Sequence, residues 1–298
     1  MLHWLTGITT SMLILLNTLI GIGPMLILGI LKALIPHAGF RRWSSRGVMW
    51  IAETWAEVNK AIFRLMIPTV WDIRCDAPLD PNQSYLVVSN HQSWVDIAAL
   101  VQAFNRKTPY FKFFLKKQLI WVPFLGLAFW ALDYPFMKRY SKAHLQRHPE
   151  DKGKDLDITR AACEKFKELP VTVVNFLEGT RLTPEKHRAQ ASPYQHLLRP
   201  KSGGIAFATA ALGVQMSSLL DVTILYPGTP PGFWALISGQ VPWVLVDIRS
   251  HQLCEDLFNG DYSNDPQFRE HFQSWVNQLW QDKDARISQL RAESRHNA

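Results

Sequence analysis

Apolar positions change their rhythm along this chain, and each rhythm predicts an element. From Leu13 to Leu34 nearly every side chain is apolar, and residues 1 to 31 hold no Asp, Glu, Lys or Arg. A run that long and uncharged predicts a membrane-embedded helix. Gly21-Ile22-Gly23-Pro24 interrupts its middle. Two shapes fit: a single kinked span, or a re-entrant hairpin, since either half alone is too short to cross. A secretory signal peptide fits poorly, because no basic region precedes the run and no small-x-small site follows it. A buried core helix would be shorter and carry a polar face.

Period 3.6 takes over next. Val48, Ile51, Trp55, Val58, Ile62 and Met66 recur at helical spacing, with Glu53, Glu57, Lys60 and Arg64 towards the other side. This predicts an amphipathic helix over 48–66, ended by Pro68. Short strand-like runs follow at 69–74 and 85–88, separated by the turn-rich stretch DAPLDPNQS. Beyond them the patterns alternate. Helices are expected near 94–104, 119–131, 158–168 and 204–212, and strands near 110–115, 134–138, 171–176, 220–226 and 242–248. A last amphipathic helix closes the chain from Asp265. Strands alternating with helices predict an α/β domain around a mainly parallel sheet. The expected division is a membrane anchor with a basic flank over 1–46 and the α/β domain over 47–298. Residues 141–157, charged and turn-rich, read as a solvated loop within that domain. The segment 119–132 is too short for a span and contains Pro123 and Gly126; it reads as a buried or surface-resting helix.

Charge and composition sharpen this picture. The formal charge is +7, and Lys32, Arg41, Arg42 and Arg46 come before the first acid after them, Glu53. An anionic partner is implied, and the basic cluster places that side of the apolar run in the cytoplasm. The twelve tryptophans suit a membrane–water interface. Cys75, Cys163 and Cys254 are far apart, odd in number and form no CxxC pair, which argues against a disulfide framework or a structural zinc site and for a reducing compartment. No metal site is expected: His144 and His148 lack a third ligand. PKSGG at 200–204 lacks the spacing of a P-loop, and no GxSxG elbow occurs. No nucleic-acid-binding signature is present.

Two polar stretches at strand ends carry candidate chemistry. In YLVVSNHQSWVD an apolar run stops at Ser89-Asn90-His91, and Asp96 follows five residues after the His. A neutral His is a general base near pH 7, and a carboxylate on its other ring nitrogen fixes the tautomer. Taken alone, Asp96 is equally a helix first-turn acid and His91 a polar strand-end residue. In VVNFLEGTRLTPEK a second run empties into Glu178-Gly179-Thr180-Arg181. Gly179 allows close backbone approach, Arg181 can grip a phosphate and Thr180 can add a hydroxyl. Taken alone, this is equally a turn with a solvated Arg–Glu pair. A third stretch, FLKKQLIWVPFLGLAFWALDYPFMKR, sets Lys116 and Lys117 at one end and Arg139 at the other. By itself it reads as a basic edge facing anionic lipid. QSWVN at 273–277 echoes QSWVD at 92–96, but it has no acid and no preceding strand.

Together and in this order, the three stretches resemble the glycerophospholipid acyltransferases of the lysophosphatidic acid acyltransferase type. NHQSWVD matches that family's Asn-His-x-x-x-x-Asp through Asn90, His91 and Asp96. FLEGTR keeps Glu178, Gly179, Thr180 and Arg181, with Leu177 where the family has Pro. The third stretch is similar to its second block, with Lys138 where Asp is usual. DVTILYP, 221–227, resembles a fourth block. DVTILYP and HLLRPKSGG look closer to the branch of lysocardiolipin acyltransferases and bacterial inner-membrane relatives. The resemblance covers residues 70 to 230. It implies His91 as general base, Asp96 as its orienting acid, and Arg139, Glu178, Gly179, Thr180 and Arg181 as substrate-binding residues. It implies acyl-CoA or acyl-carrier protein as donor, with no cofactor. The acceptor would be lysophosphatidic acid or another lysophospholipid, and the place a bacterial inner membrane with the catalytic domain on the cytoplasmic side. A non-catalytic membrane-anchored lipid-binding or scaffold protein is the alternative of another class.

Overall fold

The structure is a computed structural model and describes residues 2–113, 115–122, 125–134, 136–137, 147 and 170–296. Helix α1, Leu2–Leu34, passes through Gly21–Pro24 as helix. The chain turns at 35–37 and returns as α2, Ala38–Met66, which begins ten residues before the apolar stripe that predicted it. The two helices form a hairpin. Asn17 Nδ2 donates to the Asn59 carbonyl oxygen Oδ1 and to the Trp55 main-chain oxygen, both at 3.0 Å, and Trp55 Nε1 donates to Thr18 Oγ1 at 3.0 Å.

The inner face of α1 is rich in small and polar residues, Gly7, Thr10, Asn17, Gly21, Gly29 and Lys32, beside the buried Met25. Large apolar side chains, among them Leu5, Met12, Leu16, Leu19, Ile27 and Leu34, stay exposed. Small residues inside and apolar ones outside are the arrangement expected where lipid replaces water. The small residues are required by close packing. A Cβ at Gly7 would lie 2.7 Å from the Trp234 ring, and one at Gly29 would lie 2.9 Å from the Ala131 Cβ.

The α/β part contains β1 Val70–Cys75, β2 Ser84–Ser89, α3 Val95–Phe104, β3 Phe111–Phe113, β4 Leu115–Lys116, α4 Leu125–Ala131 and β5 Phe136–Met137. It continues through β6 Thr172–Phe176, α5 Pro184–Ala189, α6 Ser202–Leu212, β7 Met216–Leu225, α7 Phe233–Ile237, β8 Trp243–His251 and α8 Pro266–His296. The main sheet runs β1-β8-β7-β2-β6-β3, and β4 pairs with β5 apart from it. Among the described residues every neighbouring pair in the main sheet is parallel except β7 with β8. Two expectations change here. The run 110–115 divides into β3 and β4. The helix expected over 119–131 starts only at Leu125, after a 3-10 turn over Lys117–Trp121. The chain folds back so tightly there that a Cβ on Gly126 would lie 2.1 Å from the Ile120 carbonyl oxygen. The helix expected over 158–168 lies outside the described residues.

Strand alternation builds one core on each face of the sheet. Leu86, Val88, Val173 and Leu219 pack with Ile205 of α6 and with Phe272, Val276 and Trp280 of α8. Tyr85, Val87, Val174 and Leu220 pack with Val95, Leu100 and Phe104 of α3 and with Phe63 of α2. Because β2, β6 and β7 are parallel neighbours, their C-terminal ends lie side by side. In open α/β sheets ligands gather at that edge.

Candidate active site

His91 follows the end of β2, and Asp96 sits in the first turn of α3. Their side chains meet: His91 Nδ1 lies 2.7 Å from Asp96 Oδ2. The same oxygen accepts the main-chain N–H of Gln92 at 2.7 Å and of Ser93 at 2.9 Å. Oδ1 accepts the Tyr226 hydroxyl at 2.5 Å. Four donors converge on a carboxylate that is fully buried. An oxygen taking two N–H bonds acts as an acceptor, so Nδ1 must carry the proton and Nε2 is the basic nitrogen. Among the described residues Nε2 has no hydrogen-bond partner. The ring stacks on Phe176, with centroids 4.1 Å apart.

The second stretch reaches the same edge because β6 lies beside β2. The Glu178 carboxylate turns inward: Oε1 accepts the His91 N–H at 2.8 Å and Oε2 the Leu198 N–H at 3.0 Å. The Leu182 N–H donates to the His91 carbonyl at 2.7 Å. Both main-chain polar groups of His91 are therefore held by the 178–182 segment. The resemblance implies Glu178 as a substrate-binding group; here its side chain is fully buried and accepts from backbone, holding His91 in place. Burial pushes its carboxyl up to about 7, against the downward pull of the two N–H donors. Gly179 adopts a left-handed φ of 66°, which closes the turn after β6. The Thr180 hydroxyl accepts Lys186 Nζ at 2.7 Å. Arg181 is exposed, its guanidinium 4.8 Å above the Trp94 ring. Arg139 lies outside the described residues.

Other residues of the site lie inside the matched motifs or beside them, but their contacts show only in the fold. Tyr226 reaches Asp96 because β7 flanks β2, 130 residues away in sequence. Burial and the Asp96 charge hold its hydroxyl well above the ordinary tyrosine range. Asn90 acts as a backbone substitute: Nδ2 donates to the Ile224 carbonyl at 3.0 Å, and Oδ1 accepts the Ile224 N–H at 2.8 Å. Ser93 Oγ donates to the Pro231 carbonyl at 2.5 Å and accepts the Val95 N–H at 3.0 Å. Trp94 and Lys186 bring a ring and a cation to the Thr180–Arg181 turn.

A buried acid thus holds a histidine in one tautomer, beside an exposed arginine at the carboxyl edge of an α/β sheet, a geometry in which the free ring nitrogen can accept a proton. The Acyltransferase family model matches residues 72–226, more than half of the chain, and the protein belongs to that family. The 1-acyl-sn-glycerol-3-phosphate acyltransferase 3 of Arabidopsis thaliana is 24% identical over 221 residues, 68% of this chain and 52% of its own length. The 1-acyl-sn-glycerol-3-phosphate acyltransferase gamma of Homo sapiens is 26% identical over 186 residues, covering 58% and 44%. The 2-acyl-1-lysophosphatidylinositol acyltransferase of Saccharomyces cerevisiae is 24% identical over 244 residues, covering 67% and 59%. The chain thus spans about half the length of the curated relatives it matches. The crystal structure of the 1-acyl-sn-glycerophosphate acyltransferase PlsC from Thermotoga maritima superposes with a TM-score of 0.51 at 18% identity. It covers 93% of this chain and 97% of that one, and it establishes a shared fold.

Proposed function

We propose that the protein transfers a fatty acyl group from acyl-CoA or acyl-carrier protein to the free hydroxyl of lysophosphatidic acid, giving phosphatidic acid. The observation that carries this reading is the His91–Asp96 pair. Nε2 takes the hydroxyl proton as the acceptor oxygen attacks the thioester carbonyl. Asp96 holds Nδ1–H and stabilises the imidazolium that forms. The tetrahedral intermediate collapses, the C–S bond breaks, and the proton passes from His91 to the leaving thiolate. Arg181 faces the acceptor phosphate, with the Gly179 backbone beside it and Arg139 as a second expected cation. Thr180 adds its hydroxyl while Lys186 orders the turn. No cofactor enters the scheme.

The membrane reading also gains a shape. Alpha1 is held to the catalytic domain at both ends. His3 Nδ1 lies 3.1 Å from the Ser238 carbonyl oxygen and the Trp4 ring 5.1 Å from that of Trp234, while Lys32 Nζ donates to the Ala131 carbonyl at 2.8 Å. A helix fixed to one domain at both ends supports seating in one face of the bilayer, rather than crossing it. Lys32, Arg41, Arg42 and Arg46 favour the cytoplasmic side. The likeness of DVTILYP and HLLRPKSGG to bacterial inner-membrane relatives favours that membrane.

The test is acyl transfer from labelled oleoyl-CoA by the detergent-purified protein, beside His91→Ala. Loss of about 10²–10⁴-fold or more in the variant is expected. Equal turnover by the variant would refute the base, and no turnover from CoA or carrier-protein donors would leave a lipid-binding scaffold. A second acceptor is favoured by one finding, the similarity to the yeast lysophosphatidylinositol enzyme. Transfer to that lysolipid alone would keep the mechanism and move the substrate.

A further inference from the structure

The basic cluster after the apolar run takes no part in the reaction above, yet it surrounds a cavity. The cavity measures about 260 Å³ and lies where the α1–α2 turn meets the domain. Lys32, Arg41, Arg42 and Lys112 line it, with Asp133 as the one carboxylate among the described lining residues and Ser45 beside them. Lys32 is committed: its ammonium, nearly buried, donates to Asp133 Oδ2 at 2.7 Å and to the Ala131 carbonyl. Asp133 closes α4 in the left-handed conformation, φ 57°. With Asp133 paired to Lys32, Arg41 and Arg42 face no other carboxylate among the described residues that line the cavity. Arg41 and Arg42 are exposed and form no ion pair among the described residues. They stand on the first turns of α2, whose dipole adds positive potential.

This cavity is separate from the catalytic edge. Pro170 and Val171, which also line it, precede β6, whereas His91 follows the opposite end of the neighbouring β2. About five residues of strand at 3.3 Å each separate the two levels. Its surroundings indicate the source of an anion. Ile27, Ile30 and Leu34 of α1 are exposed apolar side chains, and Trp43 is exposed just past Arg42. Apolar surface, an exposed indole and guanidiniums in succession match the passage from acyl chains to headgroups.

We propose that this cavity binds the phosphate headgroup of an anionic phospholipid, as a site distinct from the one that takes the acceptor. Arg41 and Arg42 donate to the phosphate, and the Lys32–Asp133 pair forms the floor that holds α1 against the domain. The size suits a headgroup better than a drug-sized ligand. The proposal rests on the bilayer-face reading of α1, not on the catalytic one.

Native mass spectrometry of the full chain in detergent tests it, with phosphatidylglycerol, phosphatidylcholine and glycerol 3-phosphate as probes. The wild type should retain phosphatidylglycerol over phosphatidylcholine. R41A/R42A should lower that retention about tenfold or more, the scale of losing two charge-assisted contacts. R181A and His91→Ala should retain the lipid even as transfer fails, which separates this site from the catalytic reading. Raising salt on the wild type should release the same lipid without any substitution. Equal retention by R41A/R42A, equal retention of phosphatidylcholine, or displacement by glycerol 3-phosphate at matched concentration would each overturn the proposal. The last result would make it a site for soluble phosphates.

Discussion

Replacing Glu178 by Gln should remove one component of the pH dependence of this protein's stability, a loss that grows as pH rises from 4.5 to about 7. The Glu178 carboxyl is fully buried, and folding moves it from 4.5 to about 7. Below pH 4.5 the folded and unfolded chains both hold the proton, and the group contributes no slope. Between 4.5 and 7 the unfolded chain releases it while the folded chain keeps it, so stability falls as pH rises. The difference between 4.5 and about 7, at 1.36 kcal/mol per unit, comes to about 3 kcal/mol. Gln does not titrate and lacks this loss. It has a cost of its own: His91 and Leu198 both direct N–H groups at the side chain, and the amide can accept only one of them. An orphaned buried donor costs about 1–3 kcal/mol. Glu178→Gln should therefore be less stable than wild type at pH 5, and the gap should close or reverse by pH 8. Thermal unfolding followed by tryptophan fluorescence in detergent reads this. The separation between the two midpoint curves should change by roughly 5–10 °C from pH 5 to pH 8. Parallel curves across that interval would refute the assignment of a raised, titrating Glu178.

Three further substitutions test the framework around it. Asp96→Asn can still offer an oxygen to Gln92 and Ser93 but loses the charge behind His91; acyl transfer should drop by about 10³-fold or more while circular dichroism stays that of the wild type. Tyr226→Phe removes one of the four donors on Asp96, and its denaturation midpoint should reflect a loss of about 1–3 kcal/mol. Lys283, fully buried, lies 2.5 Å from Asp221 Oδ1 and donates to the Val222 carbonyl, joining α8 to β7. Lys283→Met should cost about 3–5 kcal/mol by leaving Asp221 buried and alone, and Lys283→Met/Asp221→Leu should recover most of it in denaturant titration.

What could be read from the chain, and what could not, follows from distance along it. His91 and Asp96 are five residues apart, so a strand end and a helix start suffice to bring them together. The Glu178 stretch announces itself by an apolar run ending in Gly, but its proximity to His91 depends on β6 lying beside β2. Nothing in the run 171–176 encodes that neighbour. The contact of Tyr226, in the DVTILYP block, with Asp96 is hidden for the same reason, and the inward turn of Glu178 is decided by N–H groups at residues 91 and 198. The antiparallel step between β7 and β8 has no linear mark, because strands buried on both faces share the same apolar texture. The start of α2 leaves no mark in the pattern because residues 38–47 contain Arg41, Arg42, Ser44, Ser45 and Gly47 and show no apolar stripe. Those positions face α1 and a charged cavity rather than a greasy core.

The attachment of α1 at residues 3–7 to residues 234–238 has a bearing on how the protein is made. Alpha1 leaves the ribosome well before Trp234 and Ser238, which are synthesised about 230 residues later. At roughly 5–20 residues per second, an interval of roughly 10–50 s separates the two halves of that contact. Alpha2 meets Asn17 and Thr18 early, so the hairpin can enter lipid on its own. The recess that Gly7 keeps open for the Trp234 ring waits for the sheet to be nearly complete. Docking of the nascent domain onto its anchor thus comes late in biogenesis, and a chain stalled before residue 234 would remain tethered to the bilayer without being seated on it.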